Sequence, residues 1–428
     1  MPAQFGLLKT KRFLPLFLTQ FLGALNDNVF KNALVMLITY RAGATSGIDP
    51  RQLVVIASAI FILPFFLFSA TAGQLADKYD KAQLIRVIKT VEIVLMLMAS
   101  AGFLLQNDAM LLGVLFLGGT HSAFFGPLKY SILPEHLEEN ELVGGNALVE
   151  AGTFLAILLG TIIGGIFILK TGGGLVISLV ILAVAVTGWM ASRKIPPAPA
   201  GAPRLEISAN FIAETWRIIR YAQGNRSVFI PIIGISWFWL LGFAFLAQFP
   251  VYGKDVIGGD ASIVTLFLTV FSVGIALGSL ICNKLLKGRI SAAYVPMGAF
   301  GMTASIIALW IASPTAAAHV QLVTAGQFLS AFAGWPVLTS LLAIAMFGGI
   351  YIVPLYTLMQ TRCAESHRSR VIAANNILNA LFMAGGALAT MALTRLHMQV
   401  TEIFLLLGVC NIPVGILMRR VASVENNI

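Results

Sequence analysis

Four ionisable side chains stand inside long apolar stretches: Asp27, Lys31, Lys129 and Glu150. A charge within a membrane helix costs about 2.5–3.5 kcal/mol on insertion scales, so each is a functional hypothesis by default. Asp27 and Lys31 are four residues apart, which lets them meet on one helix face. Asn26 and Asn28 add polarity at the same level, and Glu150 follows Asn146 by four residues. Such groups suit the binding of a charged head or the carriage of a proton. The bland readings are a self-neutralising Asp27–Lys31 pair that fixes packing, and a Lys129–Glu150 salt bridge joining two helices. Glu92 reads as a packed partner of Arg86 or Lys89.

Catalytic signals fail. His136 and Glu141 echo the His-x4-acid pair of lipid acyltransferases, but they lie in a short acidic loop that reads as solvated. Thr171-Gly172-Gly173-Gly174 has no preceding strand and no P-loop lysine, so it reads as an outward hairpin turn. Histidine spacing suggests no metal site, and Cys282, Cys363 and Cys410 read as buried, inert thiols. No ATPase motif is present. The expectation is a protein that is not an enzyme and needs no cofactor or metal.

The elements that must position these groups follow from composition. Of 428 residues, 58% are hydrophobic and 11% charged, and mean hydropathy is +0.88, which excludes a soluble cytoplasmic enzyme. About 20 apolar residues cross the hydrocarbon core. Runs of that kind predict spans at about 13–40, 51–75, 84–106, 109–133, 142–169 and 174–192, then 227–251, 260–283, 290–313, 337–359, 372–395 and 400–418. The first is too long and too polar at Asn26-Asp27-Asn28 to be a cleaved signal peptide. With both termini cytoplasmic, 21 of the 28 Lys and Arg residues fall on the cytoplasmic side and 5 on the other, among them Arg41. This is the positive-inside bias, and it removes the nucleic-acid reading of the net charge of +10.

Residues 1–192 and 227–428 are therefore expected to form two six-helix bundles joined by a cytoplasmic linker, 193–226. Pro196 to Pro203 cannot be helical and reads as an extended spacer. Ile207, Phe211, Trp216, Ile218 and Ile219, with Arg217 and Arg220, predict an amphipathic helix at the membrane surface. The halves look like distant copies. Gly126-Pro127-Leu128-Lys129-Tyr130 corresponds to Val353-Pro354-Leu355-Tyr356-Thr357, and Asn146 to Glu150 corresponds to Asn375 to Asn379. Half-length repetition across twelve spans is the pattern of a transporter with its site between the repeats, which adds Asn375 and Asn379 to the candidates. His319 to Pro336 lacks a counterpart and reads as an outward amphipathic insertion.

Gly73-Gln74-Leu75-Ala76-Asp77-Lys78-Tyr79-Asp80-Lys81 resembles the loop motif of the major facilitator superfamily, with Asp80 where that family often has Gly. The resemblance implies an all-α membrane protein of twelve helices in two bundles, with Gly73, Asp77, Lys78 and Lys81 as a conformational latch. A narrower resemblance rests on Gln20 to Asn28, on Gly126 to Glu135, and on Gly145 to Gly152 with Leu158-Leu159-Gly160. These segments are similar to the bacterial lysophospholipid transporter family, separate from or fused to an acyltransferase/acyl-ACP synthetase. A basic residue that some members carry in span 7 is absent; only Gln248 stands there.

That resemblance implies a multi-pass protein of the bacterial inner membrane. It would flip lysophosphatidylethanolamine and lysophosphatidylglycerol from the outer to the inner leaflet for reacylation. It would act as a monomer among membrane lipids, with the acyltransferase/synthetase as partner. The substrate-binding residues would be Asp27, Asn28, Lys31, Lys129, Asn146, Glu150, Asn375 and Asn379, with Lys129 attracting the phosphate and Glu150 pairing with Lys129 when no lipid is bound. Phe65, Phe66, Phe68, Phe124, Phe125, Trp237, Phe238, Trp239, Phe243 and Phe245 would line an acyl path. Gly160, Gly164, Gly165, Gly274 and Gly278 would allow close approach at the seam between bundles. The alternatives are a proton-coupled antiporter of amphiphilic drugs, carrying its proton on Asp27 or Glu150, and a non-transporting scaffold for an acyltransferase.

Overall fold

The computed structural model describes residues 3–40, 50–314 and 322–425. The long helices are α2 (Leu14–Tyr40), α3 (Pro50–Lys78), α4 (Lys81–Leu105), α5 (Asp108–Ser131), α7 (Leu142–Ile168), α8 (Gly173–Ser192), α10 (Arg226–Val251), α11 (Ala261–Leu286), α12 (Val295–Ala312), α14 (Trp335–Thr361), α15 (Arg368–Arg395) and α16 (Val400–Glu425). Shorter pieces are α1 (Ala3–Leu7), α6 (Leu133–His136), α9 (Phe211–Gly224) and α13 (Ala325–Ser330). Eleven of the helices are long and apolar enough to cross a membrane. The twelfth, α2, is 27 residues long but carries Asn26, Asp27, Asn28, Lys31 and Asn32 near its centre. A helix so polar is stable in hydrocarbon only if its neighbours satisfy those groups.

Ends depart from the expected spans for local reasons. Helix α12 starts later than expected, because Pro296 fits only a first turn, where its missing N–H has no bond to lose. Helix α15 starts earlier, at Arg368, because a carboxylate from the other half caps it, as described below. The expected outward insertion forms α13 and a 3₁₀ turn, Phe332–Gly334, with Phe332 and Leu322 exposed. Val323 ties it to Gly258 and Asp260 through backbone bonds of 2.9 and 3.0 Å. Residues 319–321 of that insertion, and Arg41, lie outside the described residues.

In the first half α2 packs on α7 and α8, α3 on α5, and α4 on α5 and α8; in the second, α14 packs on α11 and α12, and α10 on α15 and α14. The halves meet chiefly through α3 with α15 and α7 with α11, and also through α5 with α15 and α7 with α14. The glycines expected at this seam lie elsewhere. A Cβ at Gly160 would meet Asn28 Cβ at 2.6 Å, and one at Gly164 would reach Ala33 N at 3.0 Å, so both serve the α2–α7 contact inside the first bundle. Gly165 has open space, while Gly274 and Gly278 face α14 within the second bundle. At Gly278 the clash would be with the Met346 backbone, which cannot swing aside. Gly278→Val is therefore expected to part α11 from α14 and lower the thermal midpoint of the detergent-purified protein by several degrees. An unchanged melting curve would show that the contact tolerates a side chain.

The linker is held down along the face that carries it. Ala198 N–H donates to Asp80 (2.9 Å), Lys81 N–H to the Ala198 carbonyl (3.0 Å), and Ala202 N–H to the Asp77 carbonyl (2.8 Å). Asp80 also caps α4 by accepting from Gln83 N–H at 2.8 Å, which gives this departure from the family motif a structural role. Helix α9 is capped by Asn210. It buries Ile218 against Ala70 of α3 and Ala373, Ala374 and Ile377 of α15. Ile212 and Trp216 stand exposed elsewhere on the helix, so Trp216 does not share the buried face of Ile218. Of the cysteines, Cys282 and Cys363 are buried, but Cys410 is exposed on α16, contrary to the expectation for all three.

Candidate functional site

On the linker face the two halves are closed against each other. Gly73 lets α3 approach α15 closely, with Arg370 Cα 2.9 Å from the place a Cβ would occupy. One turn on, the fully buried Asp77 accepts from Ser369 N–H (2.9 Å), Arg370 N–H (3.3 Å) and Arg370 Nε (2.9 Å). These are the orphan donors of the first turn of α15, so a carboxylate from one bundle caps a helix of the other and pairs with its arginine. Lys81, 1% exposed, donates to Glu135 (3.2 Å) and to the Pro199 carbonyl (3.2 Å). Glu135 in turn accepts from Arg368 at 3.2 Å. Lys78 makes no ion pair among the described residues and lies 5.9 Å from the Tyr79 ring centre. His136 and Glu141 do not meet: His136 faces the Pro197 carbonyl, and Glu141 pairs with Arg12 at 2.6 Å.

The seam continues inward through amides and rings. Asn146 and Gln360 exchange hydrogen bonds of 2.8 and 2.9 Å, and Asn146 also donates to Thr357 at 3.1 Å. Its side chain is thus committed to the closed seam and does not face an open site. Tyr130 and Tyr356, which lie in the repeated segments, stack with centroids 4.2 Å apart. Tyr130 also donates to Glu150, and Trp239 Nε1 donates to Tyr356 at 2.9 Å. Gln4 on α1 reaches across to the Leu280 carbonyl at 3.2 Å.

Above this seam lie two polar groups, both built from the first half. Lys129 is half-buried and donates to Thr153 at 2.9 Å; Thr153 also lies 3.2 Å from Gln20 Oε1. Glu150 is fully buried, yet its partner is Tyr130, and the expected Lys129–Glu150 salt bridge does not form. Deeper in the first bundle, Asp27 accepts from Ser122 at 2.7 Å. Glu92 pairs with Lys89, accepts from Asn26 at 3.0 Å and has His121 Nε2 at 3.4 Å. Lys31 makes no salt bridge with Asp27; its ammonium lies 5.6 Å from the centre of the Phe61 ring. Asn28 bonds back to the Ala24 carbonyl at 2.8 Å and packs at Gly160. In the second half Asn375 is fully buried, and Asn379 accepts from Ser236 at 2.8 Å.

Thr153, Gln20, Tyr130, Lys89, His121 and Arg370 were absent from the sequence-based set. A periodic signal existed for two of them. Thr153 lies three residues after Glu150, and His121 lies eight before Lys129, so each shares a helix face with a chosen residue. Lys89 lies three residues before Glu92, its expected partner; for Gln20, Tyr130 and Arg370, only the fold supplies the partner.

The family follows from the chain as a whole. Residues 16–387 match the model of the Major Facilitator Superfamily. The chain belongs to the Major Facilitator Superfamily. It is 28% identical over 362 residues to the lysophospholipid transporter LplT of Salmonella typhi, covering 83% of this chain and 81% of that one. The same figures hold for LplT of Salmonella newport. Among solved structures it resembles the human organic anion transporter MFSD10 (TETRAN), with TM-score 0.76 at 15% identity over 98% of this chain and 100% of that one. It also resembles the E. coli fucose:proton symporter FucP, with TM-score 0.71 at 13% identity over 96% and 98%. These structural likenesses show the fold, and the superfamily makes the chain a multi-pass membrane transporter.

Within this superfamily fold the ionisable groups are one-sided. Asp27, Lys31, Lys89, Glu92, His121, Lys129 and Glu150 all belong to α2, α4, α5 and α7. In the second bundle every charged residue of a long helix stands within about two turns of a helix end. There α10 offers aromatic rings. Phe238 and Trp239 meet Phe154 of α7 at 6.2 and 6.0 Å, and Phe245 stacks on Phe404 at 4.3 Å. Trp237 is tied to Asn411 within the bundle at 2.7 Å, while Phe68 and Phe124 stack in the first.

Proposed function

We propose that this transporter flips lysophospholipids, lysophosphatidylethanolamine and lysophosphatidylglycerol, from the outer to the inner leaflet of a bacterial inner membrane. Reacylation on the inner side, by an acyltransferase/acyl-ACP synthetase, consumes what it delivers. The observation that carries this reading is Lys129. It is a half-buried ammonium within a membrane helix, held by a threonine hydroxyl, and it makes no ion pair with a carboxylate among the described residues. An ammonium without a counter-ion in a low-dielectric setting strongly favours an anion, and a phosphodiester supplies one. The aromatic surface of α10 beside it suits the single acyl chain. The similarity to LplT proteins supports the same substrate class.

Movement follows from the closed linker face, with both termini and the linker on the cytoplasmic side. The form described here is occluded on that side, with Asp77, Arg370, Glu135 and Arg368 as the latch. Release of the latch lets one bundle rock on the other and exposes Lys129 to the inner leaflet. The buried Glu150 then governs how strongly Lys129 holds the anion. A second reading, a proton-coupled antiporter of amphiphilic drugs, draws on the buried Glu92–Lys89–His121 group.

The deciding experiment is uptake of labelled lysophosphatidylethanolamine by spheroplasts lacking their own transporter, scored as conversion to diacyl phospholipid inside. Conversion that depends on this protein is the expected result. Its absence, with the protein inserted and the acyltransferase active, would overturn the lysolipid reading. Drug efflux driven by a pH gradient would then establish the antiporter.

A further inference from the structure

We infer that the acyl chain of the substrate is held by the second bundle, at the Phe238–Gly242 stretch of α10, so that the two bundles divide the amphiphile between them. This rests on the lysolipid reading and deepens it. The first observation is the one-sided distribution of charge. A head group finds Lys129, Thr153 and Gln20 on the first bundle and no charged side chain in the middle of the second. A chain placed among Asp27, Glu92 and Lys89 would leave those groups against hydrocarbon, whereas the second bundle imposes no such cost.

The second observation is continuity. Phe238 touches Phe154 and Trp239 at the seam, and Trp239 is linked through Tyr356 and Tyr130 to Glu150. On its other side the same Phe238 borders an apolar void inside the second bundle, between α10, α11, α12 and α14. Every residue around that void is apolar, among them Gly242, Phe245, Met302, Ile344 and Gly348.

The third observation is the glycine. Gly242 is buried, yet a Cβ built on it would meet nothing within 4 Å. Most buried glycines here are crowded; this one borders free space. The void has a volume of only about 10 Å³ in the closed form, the least that admits one water, so a chain enters only if the bundle opens there. Rotation of Phe238 and Phe245 would widen it into a sheath for methylenes, starting at the aromatic seam next to the head-group site. The depth of that sheath sets the chain length the protein accepts.

The test is a graded series, Gly242→Ala, Gly242→Leu and Gly242→Phe, assayed in the spheroplast system with decanoyl, myristoyl and oleoyl lysophosphatidylethanolamine. Larger side chains should shift the preference toward shorter chains, with roughly a tenfold loss for every two methylenes excluded. Decanoyl transport should stay near the parent's level, and it doubles as the check that each variant is folded. Equal loss at all chain lengths, or an unchanged profile, would overturn the inference and leave the chain in the bilayer or elsewhere. Should Gly242→Phe fail to insert, the alanine and leucine variants carry the same comparison. If the parent protein moves no lysolipid at all, it is the lysolipid reading that fails, and the two failures are distinct.

Discussion

Lys129→Ala is expected to reduce lysophospholipid flipping roughly tenfold to a hundredfold while leaving membrane insertion intact. The estimate follows from a charged hydrogen bond contributing about 1.5–3 kcal/mol, at tenfold per 1.4 kcal/mol. The side chain donates to Thr153 and forms no ion pair among the described residues, so its removal breaks no salt bridge there and should leave the bundle folded. Lys129→Gln keeps much of the length without the charge and should lose as much as alanine. Lys129→Arg keeps the charge and should retain part of the activity. If flipping persists in Lys129→Gln at equal expression, the lysine does not bind the phosphate.

Asp77→Ala is expected to open the linker face. The residue is fully buried and is the shared acceptor for Ser369 N–H, Arg370 N–H and Arg370 Nε. Removing one partner of a buried pair leaves the other uncompensated, at about 3–5 kcal/mol. A shift of that size changes the ratio of closed to open forms by more than roughly a hundredfold. Because the bond joins two bundles, the cost falls on the closed arrangement and not on either bundle's own fold. Spin labels at Tyr79 and Glu365, on opposite sides of the seam in a background without the native cysteines, should report a new, longer distance in the variant. Distances identical to the parent's would show that Asp77 is not the latch. Asp77→Asn should give an intermediate shift, since it can still accept from one backbone N–H but cannot balance Arg370.

Much of the scaffold was legible because each membrane span is a local decision. A run of about 20 apolar residues must cross, and must do so as a helix, whatever else the protein does. The spacer, the amphipathic helix and the loop motif were legible for similar reasons: prolines exclude helix, and apolar spacing at helical period marks a face. The seam glycines were not. Which neighbour a glycine meets depends on the rotation of its helix, and each step along the chain turns the face by about 100°. Gly274 and Gly278 accordingly serve α14 within one bundle, while Gly73 serves the seam.

The site shows the same division. That Asp27, Lys31, Lys129 and Glu150 sit in membrane helices could be read from the residues alone, since their flanks are apolar and insertion depends on composition. Their partners were set by how the helices pack. Spacing allowed Asp27 to pair with Lys31, and a salt bridge between two helices could have joined Lys129 to Glu150; instead Asp27 accepts from Ser122, Lys31 lies by Phe61, Lys129 donates to Thr153, and Glu150 accepts from Tyr130. Asn146 finds Gln360, 214 residues away. In hydrocarbon every polar group must find a partner inside the protein. The one it takes is whichever the packing of two six-helix halves brings within about 3 Å, a distance that no spacing along a single chain encodes.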